Sequence, residues 1–294
     1  MRFSVVIPTF NRQATLRQTL AALVSQDYSD AEIIVVDDGS TDGTGDMIAR
    51  EFPTVRYLRQ ANRGPAAARN FGIREPTGDI VAFTDDDCVP PRDWLTRLAD
   101  GYARYSHVVG VGGYLQAPDE VLKQSPIARY ENYVAHMVYH VSECEHVAGF
   151  QCAAGGTNNM SYRRAVLREV GGFDESFRYA AGEDADLKWR ICARGHQLLY
   201  VPVRMTHLQE YNWARFRRQC FFRGKGRTQF EIRRGRKPNA FILLGRFTLA
   251  VLHLPVGLVT MPEPTFAIAR LVEHVWGAWG QWNELKRCSQ QSIV

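Results

Sequence analysis

The chain has 294 residues, 45% hydrophobic and 23% charged, with 24 Gly and 13 Pro, proportions that exclude disordered, collagen-like and coiled-coil classes. The length suits one large α/β domain or two smaller ones with a sizeable core. The formal charge of +5 is concentrated: residues 213–238 carry ten Lys/Arg against the single acid Glu231, so the rest of the chain is net acidic.

From Phe3 to about Tyr114, short β-branched runs alternate with helical patterns. Ser4–Ile7, Glu32–Val36, Val55–Leu58 and Ile80–Phe83 read as strands, three of them apolar enough to be buried on both faces of a parallel sheet. Leu16, Leu20, Leu23 and Val24 recur at helical spacing, and Pro65 before three alanines reads as a helix start. Such alternation predicts an α/β fold with a mostly parallel, Rossmann-like central sheet, whose ligands bind at the carboxyl ends of the strands. The unusual residues lie at those ends: Pro8-Thr9-Phe10-Asn11, Asp37-Asp38-Gly39-Ser40 and Asp85-Asp86-Asp87. In an extended segment residues i and i+2 point the same way, so Asp85 and Asp87 are expected to converge on one ligand. Adjacent carboxylates repel, and a divalent cation, Mn²⁺ or Mg²⁺, is the usual remedy.

Further along, a helix is expected near Pro126–Tyr139, and Gly155-Gly156-Thr157-Asn158-Asn159-Met160 leads into a short strand and the helix Arg163–Val170. A second helix spans about Glu183 to Arg194 with Gly195 as its cap, followed by a strand, Leu198–Val203. His136 and His140, four apart, have Cys144 and His146 nearby, but the helix context and the lack of a clear fourth ligand argue against zinc. The basic block interleaves Phe216, Phe221, Phe222 and Phe230; as one helical segment before an apolar tail it suits anionic lipid headgroups better than nucleic acid. Phe241–Met261 is long enough to span a bilayer, yet Arg246, His253 and Pro255 interrupt it. A helix lying in the membrane interface is therefore expected, continued by a Trp276, Trp279, Trp282 stripe opposite Arg270, Glu273, His274, Gly277 and Gln281.

Val5-Val6-Ile7-Pro8-Thr9-Phe10-Asn11-Arg12 and Glu32–Asp42 (EIIVVDDGSTD) resemble the opening of family 2 glycosyltransferases of the GT-A fold. Asn62-Arg63-Gly64-Pro65 with Ala68-Arg69-Asn70, the acidic triplet, Gly171-Gly172-Phe173-Asp174 and Gly182-Glu183-Asp184 continue the likeness in order, across roughly residues 3–208. The resemblance implies inverting, metal-dependent transfer of a sugar from a UDP-, dTDP- or GDP-linked donor to a glycan or lipid-linked acceptor, in cell-surface polysaccharide synthesis. It implies that Pro8, Thr9 and Phe10 line base and ribose, that Asp38 accepts from the base, and that Arg69 sits against base or phosphates. Asp87 would ligate the cation, Asp85 ribose or cation, and His207 cation or phosphate. Gly156, Thr157, Asn158 and Glu183 would lie on the acceptor side, and Asp184 would be the general base, needing an apolar surround to offset its helix-start position.

The resulting organisation is a catalytic domain over 1–208 (1–115 for the nucleotide, 116–208 for the acceptor) and a basic and hydrophobic tail over 209–294, with 241–294 on the membrane. Six cysteines without a CxxC pair and an N-terminus unlike a signal peptide suggest a cytoplasmic protein at the inner membrane face. A membrane-tethered, non-catalytic sugar-nucleotide scaffold is the competing class. A dinucleotide-dependent dehydrogenase is excluded by the lack of GxGxxG after the first strand.

Overall fold

The computed structural model describes residues 1–75, 77–177, 179–236 and 240–291, without the side chains of 240–244, 246, 247, 250 and 289–291. The opening alternates β1 (Phe3–Thr9), α1 (Gln13–Val24), β2 (Ala31–Asp37), α2 (Thr44–Glu51), β3 (Arg56–Arg59), α3 (Pro65–Arg74) and β4 (Ile80–Phe83). There follow β5 (Cys88–Val89), α4 (Trp94–Arg104), β6 (Gly110–Gln116), α5 (Asp119–Gln124), α6 (Pro126–Val138), β7 (His146–Ala148) and β8 (Met160–Arg163). Then come α7 (Arg164–Val170), α8 (Glu183–Cys192), β9 (Leu198–His207), α9 (Trp213–Arg233), α10 (Ala240–Thr260) and α11 (Pro264–Gln291).

The strands build one sheet in the order β3-β2-β1-β4-β8-β6-β9-β5, with β7 beside β9. The β3-β2-β1-β4 half is entirely parallel. Its β-branched strands are covered on both sides: Phe3, Val5 and Ile7 pack with Leu16, Leu20 and Met47, while Val6 joins Ile34, Val36, Ala66 and Ala68 on the other face. Gly72 seats α3 against this sheet, since a Cβ there would lie 2.3 Å from Val6 Cγ1. β8 runs antiparallel to both β4 and β6 and splices the halves into one sheet. Beyond it β6 and β9 are parallel, with an irregularity between Gly112 and Tyr114. There Gly113 lets the strands close up, because a Cβ would meet Val203 O at 2.1 Å.

Met1–Pro118, Ala135–Glu175 and Asp184–Gln209 form one compact unit containing this sheet. Asp119–Val134, Ser176–Glu183 and Glu210–Val294 form a second. Its core joins Ile127, Tyr130, Phe216, Cys220, Phe266 and Ala269. In it α9 and α11 approach to backbone contact at glycines: a Cβ on Gly224 would meet Gly277 O at 2.1 Å, and one on Gly280 would meet Phe221 O at 2.0 Å. Toward its end α11 buries the polar Gln281 and Glu284, whereas Ile268, Trp279 and Trp282 are exposed. The Glu284 carboxylate is held inside by Gln229 Nε2 at 2.9 Å and by Arg287. Lys225, counted above within a basic helix face, is instead buried, over the Tyr179 ring at 4.4 Å. Pro255 lies within α10, and Leu249, Leu252, Val256 and Val259 are exposed there; the side chain of Arg246 and residues 237–239 lie outside the described residues. Among the described residues no helix is long and apolar enough to cross a membrane.

Candidate active site

The carboxyl ends of β1, β2 and β4 gather the polar residues of the first unit. Asp37, buried at the end of β2, accepts from Ser40 N–H (2.7 Å) and Tyr57 O–H (2.5 Å), which fixes the turn after the strand. Asp38, also buried, organises the next loop: Oδ1 accepts from Gln60 Nε2 (2.7 Å) and Arg63 N–H (2.9 Å), and Oδ2 from Gly64 N–H (2.8 Å). A carboxylate oxygen has two acceptor sites, so Oδ2 retains one for a further donor. At the end of β1, Pro8 and Thr9 are buried and the Phe10 ring is 45% exposed, open to stacking.

The acidic triplet does not follow the extended geometry expected of it. The chain leaves β4 at Phe83 and turns through Asp86 and Asp87, and Asp85 and Asp87 take different partners. Asp85 receives Arg69 Nη2 at 2.7 Å. Arg69 is itself buried, with its guanidinium 5.7 Å from the Phe173 ring centroid. Asp86, the middle residue, accepts from Thr9 Oγ1 at 2.8 Å, and burial, opposed by Arg12 and reinforced by Asp87, pushes its carboxyl up to about 7. Burial also works against the charge on Asp87, but His207 and Arg12 overcome it and hold that carboxyl well below the usual range. Asp87 Oδ1 lies 3.4 Å from His207 Nε2, and Oδ2 accepts from Arg12 Nη1 at 2.5 Å.

Asp87, Cys88 and His207 place their ligand atoms within 4.8 Å of one another, because β5 pairs with β9 in the register Cys88↔His207. Burial pushes the Cys88 thiol well up, so it remains a protonated, poor ligand. What is left, an ionised carboxylate and an imidazole, fits Mn²⁺ or Mg²⁺, which take few protein ligands and complete their shell with water or phosphate oxygens. Asp85 is outside this group. His136, His140, Cys144 and His146 form no such group among the described residues; His146 Nε2 accepts from Ala153 N–H, and its ring stacks on Tyr200.

Asp184 lies in the first turn of α8. Its pKa is raised: burial dominates and Asp85 adds to it, against the Ala185 N–H at 2.7 Å and the charge of Arg69. Lys188, one turn further, donates to Cys152 O at 2.6 Å and has its pKa lowered by burial, with Asp184 among the charges opposing that. Thr157 and Glu183 are buried, and Gly156 and Asn158 are half-buried. Asn70 ties two sequence motifs together, donating to Phe173 O and accepting from Phe173 N–H, both at 2.8 Å. A Cβ on Gly172, where φ is +71, would meet Asn70 Oδ1 at 2.5 Å. Three residues without an assigned role emerge at or beside the site: Arg12, Lys188 and the buried Asn159. Lys188 was detectable as the i+4 partner of Asp184, and Arg12 as the only cation next to the β1 motif.

Residues 4–171 match the family described as Glycosyl transferase family 2. The pre-mycofactocin glycosyltransferase of Mycobacterium tuberculosis is 29% identical over 263 residues, covering 86% of this chain but 53% of that protein, so the chain spans about half its length. The glucosyl-dolichyl phosphate glucuronosyltransferase of Haloferax volcanii is 27% identical over 256 residues, covering 79% of this chain and 78% of the relative. A mannosyltransferase from Pyrobaculum calidifontis, solved with GDP-Man and Mn²⁺, superposes with a TM-score of 0.67 at 20% identity, covering 96% of this chain and 87% of that one. That likeness establishes the GT-A architecture, and the match over more than half of its length shows that the chain belongs to glycosyl transferase family 2.

Proposed function

We propose that this chain transfers a sugar from a nucleoside-diphosphate donor to a hydroxyl of a glycan or lipid-linked acceptor, with inversion at the anomeric carbon and Asp184 as the general base. The observation that carries this reading is the environment of Asp184, a carboxyl raised by burial and held in the same electrostatic field as Arg69 and Asp85. A base must be ionised yet avid for a proton, and a raised pKa makes the carboxylate the more avid once it is ionised. Asp184 takes the acceptor proton while that oxygen attacks the anomeric carbon. Phe10 offers its exposed ring to the base, Asp38 Oδ2 its free acceptor site, and Pro8 and Thr9 shape the floor beneath. Arg69 fixes Asp85 toward the ribose, and Gly156, Thr157, Asn158 and Glu183 border the acceptor. Asp87 and His207 would hold a divalent cation, which when bound neutralises the charge of the departing diphosphate.

The Pyrobaculum mannosyltransferase binds GDP-Man with Mn²⁺, which makes GDP- and UDP-sugars the first donors to test. Calorimetric titration of a panel of nucleotide sugars is expected to find one whose affinity rises about tenfold or more with Mn²⁺, an effect lost in Asp87→Asn. A folded protein that binds no donor would favour the non-catalytic scaffold instead.

We further infer that residues 241–294 rest on the inner face of the cytoplasmic membrane. Outward Trp279 and Trp282, the exposed apolar side chains of α10, and exposed Arg217, Arg218, Arg223 and Arg227 on α9 support this. Leu252 is 65% and Val259 85% exposed, so Leu252→Glu with Val259→Glu spares packing. That double variant is expected to lose about tenfold or more of its partitioning onto vesicles containing phosphatidylserine; unchanged co-sedimentation would refute the membrane placement.

A further inference from the structure

The Arg12 guanidinium lies on the open side of the acidic turn. Its Nη1 is 2.5 Å from Asp87 Oδ2 and 3.3 Å from Asp86 Oδ1, so one cation serves two buried carboxylates. The two oxygens of Asp87 are thereby divided: Oδ1 faces His207, and Oδ2 faces Arg12. Asp85 has a different partner, the buried Arg69. The two arginines differ in exposure: the side chain of Arg69 is 4% exposed and that of Arg12 is 41%. Arg69 is built into the core of the site, whereas Arg12, with its half-exposed side chain, is held by the Asp86 and Asp87 carboxylates. It follows Asn11, a left-handed residue (φ +52) pinned by its own N–H on Ser40 Oγ and by its Oδ1 accepting from Thr41 N–H. It sits directly before α1, with no side-chain role in capping that helix.

We propose that Arg12 is a competing counter-ion for the divalent-cation site, so that a cation gains Asp87 Oδ2 only by displacing a guanidinium. The inference rests on the reading of Asp87 and His207 as cation ligands. A bare divalent ion that displaces Arg12 leaves that guanidinium without a partner, which offsets part of the binding energy. A cation arriving with a nucleoside diphosphate does not, because phosphate oxygens accept the fork of an arginine bidentately. Arg12 therefore couples cation binding to donor binding, and by linkage the coupling is reciprocal. The half-exposed side chain can rotate from carboxylate to phosphate without disturbing the core.

The test is Mn²⁺ binding by the full chain, followed by the loss of the free-ion electron paramagnetic resonance signal, without nucleotide. Arg12→Gln is expected to bind Mn²⁺ alone about tenfold more tightly than wild type, within the usual range of coupling factors, while Arg12→Lys, which keeps the charge, stays near wild type. The thermal midpoint without cation should fall in Arg12→Gln, and Mn²⁺ should raise it by more than it raises wild type. Wild-type or weaker Mn²⁺ affinity in Arg12→Gln overturns the proposal. Wild-type affinity in Asp87→Asn overturns the cation site itself, so the two failures are distinguishable.

Discussion

Asp184→Asn is expected to lower kcat by about 10³-fold, roughly 4 kcal/mol of transition-state stabilisation, while donor affinity stays within about twofold. The amide fills the same space at the start of α8 and its oxygen can still accept the Ala185 N–H, so the fold is retained. What it cannot do is accept a proton from the attacking hydroxyl. The pH profile provides a second reading of the same group. A general base works only when ionised, and burial raises the Asp184 pKa, so on the proposed role kcat should fall as pH drops through a value above the roughly 3.9 of an ordinary aspartate. The acid limb should disappear in the variant, whose residual rate has no group left to protonate at that position. Single-turnover rates with the donor identified by titration separate chemistry from release. A variant within tenfold of wild type would remove Asp184 from the role of base and leave its raised pKa as a cost of packing.

The fold was legible wherever a strand was buried on both faces. β1, β2 and β4 are runs of apolar, largely β-branched residues ended by polar motifs, and β9 opens on another apolar run, Leu198–Val203. β6 was not legible, because Gly110, Gly112 and Gly113 carry no hydropathy signal; they are there to let Met160, Leu198 and Val203 approach. β5 and β7, of two and three residues, exist only through pairing with β9, a partner far away in sequence. α4 is a different case: Trp94, Leu95, Leu98 and Tyr102 have helical spacing and are all buried, so its signal was in the sequence and was passed over.

In the candidate site the residue types stand out in the sequence, and their pairing does not. The acidic triplet stands out in the sequence, but period-two reasoning holds only in extended chain, and these residues turn. Their neutralisation also differs from what charge spacing suggests. Arg69, Arg12 and His207 supply the counter-groups, each from an element remote in sequence. Asp86 illustrates the limit: a middle residue with no assigned role is the acid whose carboxyl burial pushes up to about 7, and only the fold shows that it is buried.

Asn159→Leu is expected to destabilise the first unit by about 3–6 kcal/mol, the largest loss for any single polar side chain near the site. Asn159 is 1% exposed and uses both ends of its amide. Oδ1 accepts from Trp94 Nε1 at 2.9 Å, and Nδ2 donates to Tyr114 O at 3.0 Å and Val203 O at 2.9 Å. One side chain thus joins α4, β6 and β9 at the irregularity where the ladder between β6 and β9 shifts. Leucine keeps the branched skeleton but replaces the amide by two bulkier methyl groups, so no cavity forms; the loss is that of the three buried hydrogen bonds the amide makes, each worth about 1–2 kcal/mol here. The urea midpoint, with an unchanged slope, should fall accordingly, and the neighbouring Asn158→Leu, at a half-buried position, should stay within about 1 kcal/mol. Equal midpoints for the two variants would mean that relaxation re-pairs those groups. The contrast separates two adjacent asparagines that sequence alone treats as one motif: Asn159 is buried and ties β9, the strand that ends in His207, to α4 and β6, whereas Asn158 is half-buried.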